Sequence, residues 1–171
     1  MTERVAEALS RYRAIRDALD AFHVKAEAAL PVALACRRGC SACCSREIHV
    51  FDVEAAAIRA ALRDVGPPET SAGTTGCPML DAAGGCRIYA ERPLICRSHG
   101  LPVKFRQENT LSESRDICPL NEDVGIDPWT APTAAVLNLE VLNAQLALVN
   151  RLYGGDGRRL PISEVVRATG G

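Results

Sequence analysis

Four cysteines stand within nine residues, as Cys36-Arg-Arg-Gly-Cys40-Ser-Ala-Cys43-Cys44. The spacing is C-x3-C-x2-C-C. On a helix advancing about 100° per residue, the four side chains fall within a sector of roughly 100°. In a loop, Gly39 lets the backbone fold around an ion. Either way the thiols converge. Thiolates are soft donors that select zinc, cuprous copper or iron–sulfur clusters over hard cations. Packing alone gives no comparable reason for such a block, since free cysteine in a core behaves as a small hydrophobe. The adjacent pair Cys43-Cys44 cannot easily aim both sulfurs at one metal in an extended chain. That hints at service to different metal atoms, or to one polynuclear centre.

Four more cysteines follow at Cys77, Cys86, Cys96 and Cys118, making eight in 171 residues. Their gaps are longer, so spacing alone does not bring them together. The text around them reads Cys77-Pro-Met-Leu, Gly85-Cys86-Arg-Ile-Tyr89 and Arg92-Pro93-Leu-Ile-Cys96-Arg97. Pro78 and Pro93 stiffen the chain beside cysteines. Cations gather in the same stretches: Arg37, Arg38 and Arg46, then Arg87, Arg92, Arg97, Lys104 and Arg106 against Glu91. A four-thiolate site is negatively charged, and nearby cations favour the thiolate form. His49 and His99 are alternative ligands, His99 being nearer in sequence to Cys96.

An even cysteine number also suits disulfides, but only in an oxidising compartment. The N-terminal residues carry charges at Glu3, Arg4, Glu7, Arg11 and Arg13, with no continuous apolar run of a secretory signal. No stretch approaches the roughly 18 apolar residues of a membrane span. The expected compartment is the cytoplasm, where thiols serve metal or catalysis. A net charge of -1 and 4% aromatics argue against a nucleic-acid partner.

At these residues the sequence resembles the YkgJ-type cysteine-cluster family, a group of zinc- or iron-chelating domains. The matching text is CRRGCSACC, CPML, GGCRIYAERPLICR and the later Cys118. It covers about residues 36–118. The resemblance implies a metal site held by Cys36, Cys40, Cys43, Cys44, Cys77, Cys86, Cys96 and Cys118. The cofactor it implies is zinc or an iron–sulfur cluster. The three-cysteine C-x3-C-x2-C spacing of radical S-adenosylmethionine enzymes is also present. Five further cysteines and the lack of alternating strand–helix units argue against that class.

The rest of the chain reads as mainly helical, since its 47% apolar content rests largely on Ala, Leu, Val and Ile. Residues 2–30 carry a stripe at Val5, Ala8, Tyr12, Ile15, Leu19, Phe22, Ala26 and Ala29. This predicts one long helix, broken at Pro31. The stripe either packs on its own domain or recruits a protein partner or a second copy. Asp52 is expected to cap a helix through Leu62, ended by Gly66, Pro67 and Pro68. Residues 66–76 read as a surface loop. Residues 133–152 read as a second long helix, apolar almost all round and hence central. A short helix is expected after Pro161.

The expected architecture is one small domain, with residues 1–31 and 126–171 forming helices around a metal-organised, irregular middle at 32–125. Metal binding is the expected function. The alternatives are an iron–sulfur-dependent redox or protein-modifying enzyme or its accessory subunit, and a helix-mediated adaptor.

Overall fold

The computed structural model describes residues 2–66, 76–107 and 112–168. Helix α1 runs Glu3–Ala29. Thr2 caps it, its hydroxyl accepting the Val5 N–H at 3.4 Å. At the other end the Leu30 N–H returns to the Ala26 carbonyl, and Pro31 follows. Most of the predicted stripe turns inward: Ala8, Tyr12, Leu19 and Ala26 are buried, Ile15 and Phe22 pack half-buried on the same core beside Leu9, and Ala29 at the end is exposed. That face meets later helices of the same chain.

Strand β1 (His49–Val50) leads into α2 (Asp52–Val65). Asp52 is not the cap but the first helical residue. Phe51 takes the cap position, and the Glu54 carboxylate accepts the Phe51 N–H at 3.1 Å. Val53 joins the core under α1, whereas Ala55, Ile58, Ala61 and Leu62 join a second core with Met79, Ile88, Ile162 and Val165. Helix α2 is therefore the element buried on two sides. Gly66 ends it at φ +79°. Of the expected surface loop, residues 67–75 lie outside the described residues.

The middle is less irregular than its sequence suggests. It contains α3 (Leu94–Ser98), the antiparallel pair β2 (Val103–Arg106) and β3 (Glu113–Asp116), and α4 (Pro119–Asp123). Strand β4 (Leu137–Asn138) pairs parallel with β2, giving the order β3-β2-β4.

Helix α5 starts at Leu139 and ends at Tyr153, six residues later than expected at its start. The reason is Asn138, whose side-chain oxygen accepts the N–H groups of Glu140 and Val141 and so fixes the first turn. Residues Thr133–Ala135 form a separate 3₁₀ turn. Helix α5 is also not central all round. Leu142, Leu146, Val149 and Asn150 face inward, while Val141 and Leu148 are exposed. Strand β5 (Leu160–Pro161) pairs antiparallel with β1, and α6 (Ile162–Arg167) closes the second core. Among the described residues, no helix is long and apolar enough to cross a membrane.

Candidate metal centre

The first cysteine block is a loop followed by a 3₁₀ turn, not an α-helix. The Cys40 N–H donates to the Arg37 carbonyl at 3.0 Å, with Gly39 at φ +93° completing the bend. Ala42–Ser45 then form the 3₁₀ turn that carries Cys43 and Cys44.

Cys36 is held from three directions. The preceding Ala35 N–H donates to the Asn121 side-chain oxygen at 2.6 Å. The Cys36 thiol donates to the His99 carbonyl at 3.4 Å. Gly100 lies flat against it, such that a Cβ there would stand 2.6 Å from the sulfur. Asn121 also donates to the Gly100 carbonyl at 2.6 Å, and its backbone N–H donates to the Cys118 carbonyl at 2.8 Å. One fully buried amide thus binds the segments carrying Cys36 and Cys118 to the turn after α3. Sequence reasoning missed Asn121, and a lone asparagine two residues after Pro119 gives no pattern to find it by.

Cys77 and Cys86 stand at the two ends of a tight hairpin. Leu80 and Cys86 form a β-bridge, and the Arg87 N–H donates to the Met79 carbonyl at 2.9 Å. The turn between them is built by Asp81, which accepts the N–H groups of Ala83 and Gly85. The backbone amides of Met79 and Ile88 work against burial at Cys77 and Cys86, lowering the thiol pKa values that burial raises. Amides aimed at sulfur in this way favour the thiolate. Met79 and Ile88 are themselves buried and anchor both amides. The hairpin docks on the first block through the Cys77 N–H, which donates to the Cys44 carbonyl at 2.7 Å.

Cys96 lies in α3, and the stretch Tyr89-x2-Arg92-Pro93-x2-Cys96-Arg97 positions it. Arg92 stacks on the Tyr89 ring with its guanidinium carbon 3.6 Å from the ring centre. Pro93 caps α3, and the next amide, Leu94 N–H, donates to buried Glu54 of α2 at 3.0 Å. Glu54, read from the sequence only as part of the helix, is a second support that sequence reasoning missed. Arg97 is buried, pairing with Asp20 of α1 at 2.6 Å and donating to the carbonyls of Arg92 and Ala90.

The expected cation shell therefore divides. Arg87 and Arg97 are struts, the former reaching the Val65 carbonyl at 2.7 Å. Arg92 lies in electrostatic reach of Cys43, Cys86 and Cys96, and Arg38 of Cys86. His99 ends α3 and acts on Cys43 only electrostatically, while His49 sits in β1.

All eight cysteines are free and partly buried. Their mutual influence links them into one neighbourhood: Cys36 with Cys40, Cys118 and Cys43, Cys44 with Cys43, Cys77 and Cys96, and Cys96 with Cys77, Cys43 and Cys86. Burial, reinforced by neighbouring thiols, pushes Cys36 and Cys96 up to about 12. Burial also raises Cys77 and Cys86, against the opposing amide N–H groups. Cys43 goes the other way, down to about 6, because the Cys44 thiol donates a hydrogen bond to it and His99 and Arg92 lie near. Cys44, the donor, is raised correspondingly.

The sulfurs cluster without closing. Among the described residues, no three Cys, His, Asp or Glu side chains already stand where they could share an ion. The donor set nonetheless fits a soft metal: it is all sulfur, half-buried, and partly supplied with N–H donors.

The fold is small and mainly helical, and it carries eight free, partly buried cysteines. The family model CxxCxxCC, described as a "putative zinc- or iron-chelating domain", matches residues 35–119, and the chain belongs to this family. The matched span holds all eight cysteines and ends just after Cys118. The chain matches no curated protein and no solved structure.

Proposed function

We propose that the protein holds zinc or an iron–sulfur centre through its eight cysteines and that the metal fixes the middle of the fold. The observation that carries this is the convergence of eight free thiols, from segments as distant in sequence as Cys36 and Cys118, into one neighbourhood. That region is built of short helices and strands. Metal bonds would add to its stability, as coordination and folding are coupled. The thiols must stay reduced to serve, which fits a cytoplasmic setting.

A structural or carrier role ranks first because sulfur donors suffice to close the shell. An iron–sulfur redox or modifying enzyme ranks second, on one observation. A cavity of about 270 Å³, lined by Ser45, Arg46, Ile48, Cys77 and Ile162 among others, opens beside Cys77. That is slightly below the roughly 300–1,000 Å³ of ordinary ligand pockets. It suits only a small co-substrate. Anaerobic purification followed by metal and sulfide analysis tests both readings. Colourless protein with stoichiometric zinc supports the structural reading. Brown protein with labile sulfide supports the second.

A further inference from the structure

A groove of about 540 Å³ lies between α1 and α2, and no cysteine lines it. That volume falls within the roughly 300–1,000 Å³ of ordinary ligand pockets. Leu9 and Tyr12 of α1, Ala57 and Ala60 of α2 and Tyr153 at the end of α5 give it an apolar lining. The alanines keep the space open, since a longer side chain at those positions of α2 would fill it.

The same groove is cationic. Arg13 and Arg16 line it from α1 and Arg59 and Arg63 from α2, against two acids, Asp64 and Glu91. Arg16 is engaged with Glu91. Among the described residues, Arg13, Arg59 and Arg63 have no hydrogen-bond or ion-pair partner. Arg59 and Arg63 stand four residues apart on one helix face, where like charges repel and weaken a helix. Helix stability therefore gives no reason for this gathering of cations, whereas an anion in the groove would. Tyr12 carries a second open valence. It is buried, and its hydroxyl has no hydrogen-bond partner among the described residues. Buried polar groups are normally paired.

We propose that the α1–α2 groove binds a small organic phosphate, its head held by Arg13, Arg59 and Arg63 and its apolar body lying against Ala57 and Ala60. A phosphate monoester carries about -1.5 to -2 charges at neutral pH, which matches the excess of arginines over acids in the lining. Guanidinium forks grip phosphate oxygens in pairs. Inorganic phosphate would leave the apolar lining uncovered, and a neutral apolar molecule would leave the arginines unpaired. The site is separate from the cysteine centre and does not depend on the metal it holds.

Calorimetric titration of the full chain as purified with naphthyl phosphate tests the proposal. The wild type is expected to bind about one equivalent saturably, with inorganic phosphate and naphthol each at least about 10-fold weaker. Arg13→Gln with Arg59→Gln should weaken naphthyl phosphate at least about 10-fold, the usual size of a lost charge-assisted hydrogen bond. Metal content and melting temperature should stay unchanged in that variant, because neither side chain has a partner in the fold. Arg11→Gln removes a cation of α1 that bonds to Glu7 and does not line the groove, so it should leave binding as it is. No saturable binding by the wild type overturns the proposal. So does naphthol or inorganic phosphate binding as tightly as naphthyl phosphate, or Arg11→Gln weakening it as much as the groove variant.

Discussion

The Asn121 amide and the Gly100 carbonyl meet at 2.6 Å, with both residues buried. The same side chain accepts the Ala35 N–H, so an asparagine in α4 sets where Cys36 stands. Asn121→Ala would take the partner from the half-buried Ala35 N–H and the buried Gly100 carbonyl, each costing about 1–3 kcal/mol. We expect chemical denaturation to show a loss of about 2–5 kcal/mol. In the metal-free chain, alkylation should rise more at Cys36 than at Cys77. Equal gains at both would mean that Asn121 supports the fold in general and not the Cys36 segment.

Gly39 and Gly100 both sit at positive φ, +93° and +100°, but only one is crowded. A methyl at Gly39 meets nothing within 4 Å, while at Gly100 it would collide with the Cys36 sulfur and Cβ. Gly39→Ala should cost about 1–2 kcal/mol of backbone strain and keep metal binding. Gly100→Ala should lower metal content as well, because it displaces the Cys36 sulfur. Comparing zinc content and melting temperature of the two variants separates strain from steric displacement.

In the metal-free protein, Cys43 should be the first thiol to react with iodoacetamide. Its ionisation near pH 6 leaves it a thiolate at neutral pH, and only the thiolate is nucleophilic. Cys36 and Cys96, held up to about 12 by burial, should stay unmodified until strongly alkaline pH. Peptide mapping across a pH series reads the order directly. The same shifts fix a stability trend. Thiols with raised values contribute stability that is whole below about 9 and lost as pH rises toward 12, so the metal-free form should weaken there.

Arg92 and Arg97 look alike in the sequence and should fail differently. Arg92 sits beside Cys43, Cys86 and Cys96, so Arg92→Gln should weaken zinc binding by about 10-fold, a usual effect for groups just outside a metal's ligands. Arg97→Gln breaks the pairing with Asp20 and leaves the Arg92 and Ala90 carbonyls short of a donor. It should lower the melting temperature with little change in zinc affinity per folded molecule. Competition titration and thermal unfolding of both variants check this.

The long N-terminal helix was legible because apolar residues recur at helical spacing over about seven turns, with a stop at Pro31; the Thr2 cap and the direction of the stripe come from the fold. Helix α5 was legible in kind and wrong in extent. Residues 133–138 share its apolar character, and only the Asn138 side chain, acting as a cap, shows where the helix starts. The cysteines announced a metal site by chemistry and close spacing at Cys36, Cys40, Cys43 and Cys44. The supports did not announce themselves. Asn121, Glu54 and Gly100 act through single contacts made across the fold, 86 residues apart in the case of Ala35 and Asn121. Such contacts leave no local periodicity. The arginines were legible as cations near cysteines but not as struts, since only the fold shows that Arg97 turns to Asp20 and not to sulfur.

The central claim is that the eight thiols together are the metal-binding group. It is tested most directly by purifying the full chain without oxygen and measuring metal and alkylation in the same sample. The account predicts stoichiometric zinc or iron, with all eight cysteines protected until a chelator or acid removes the metal. Metal-free protein that keeps its fold while all eight cysteines react freely would contradict it.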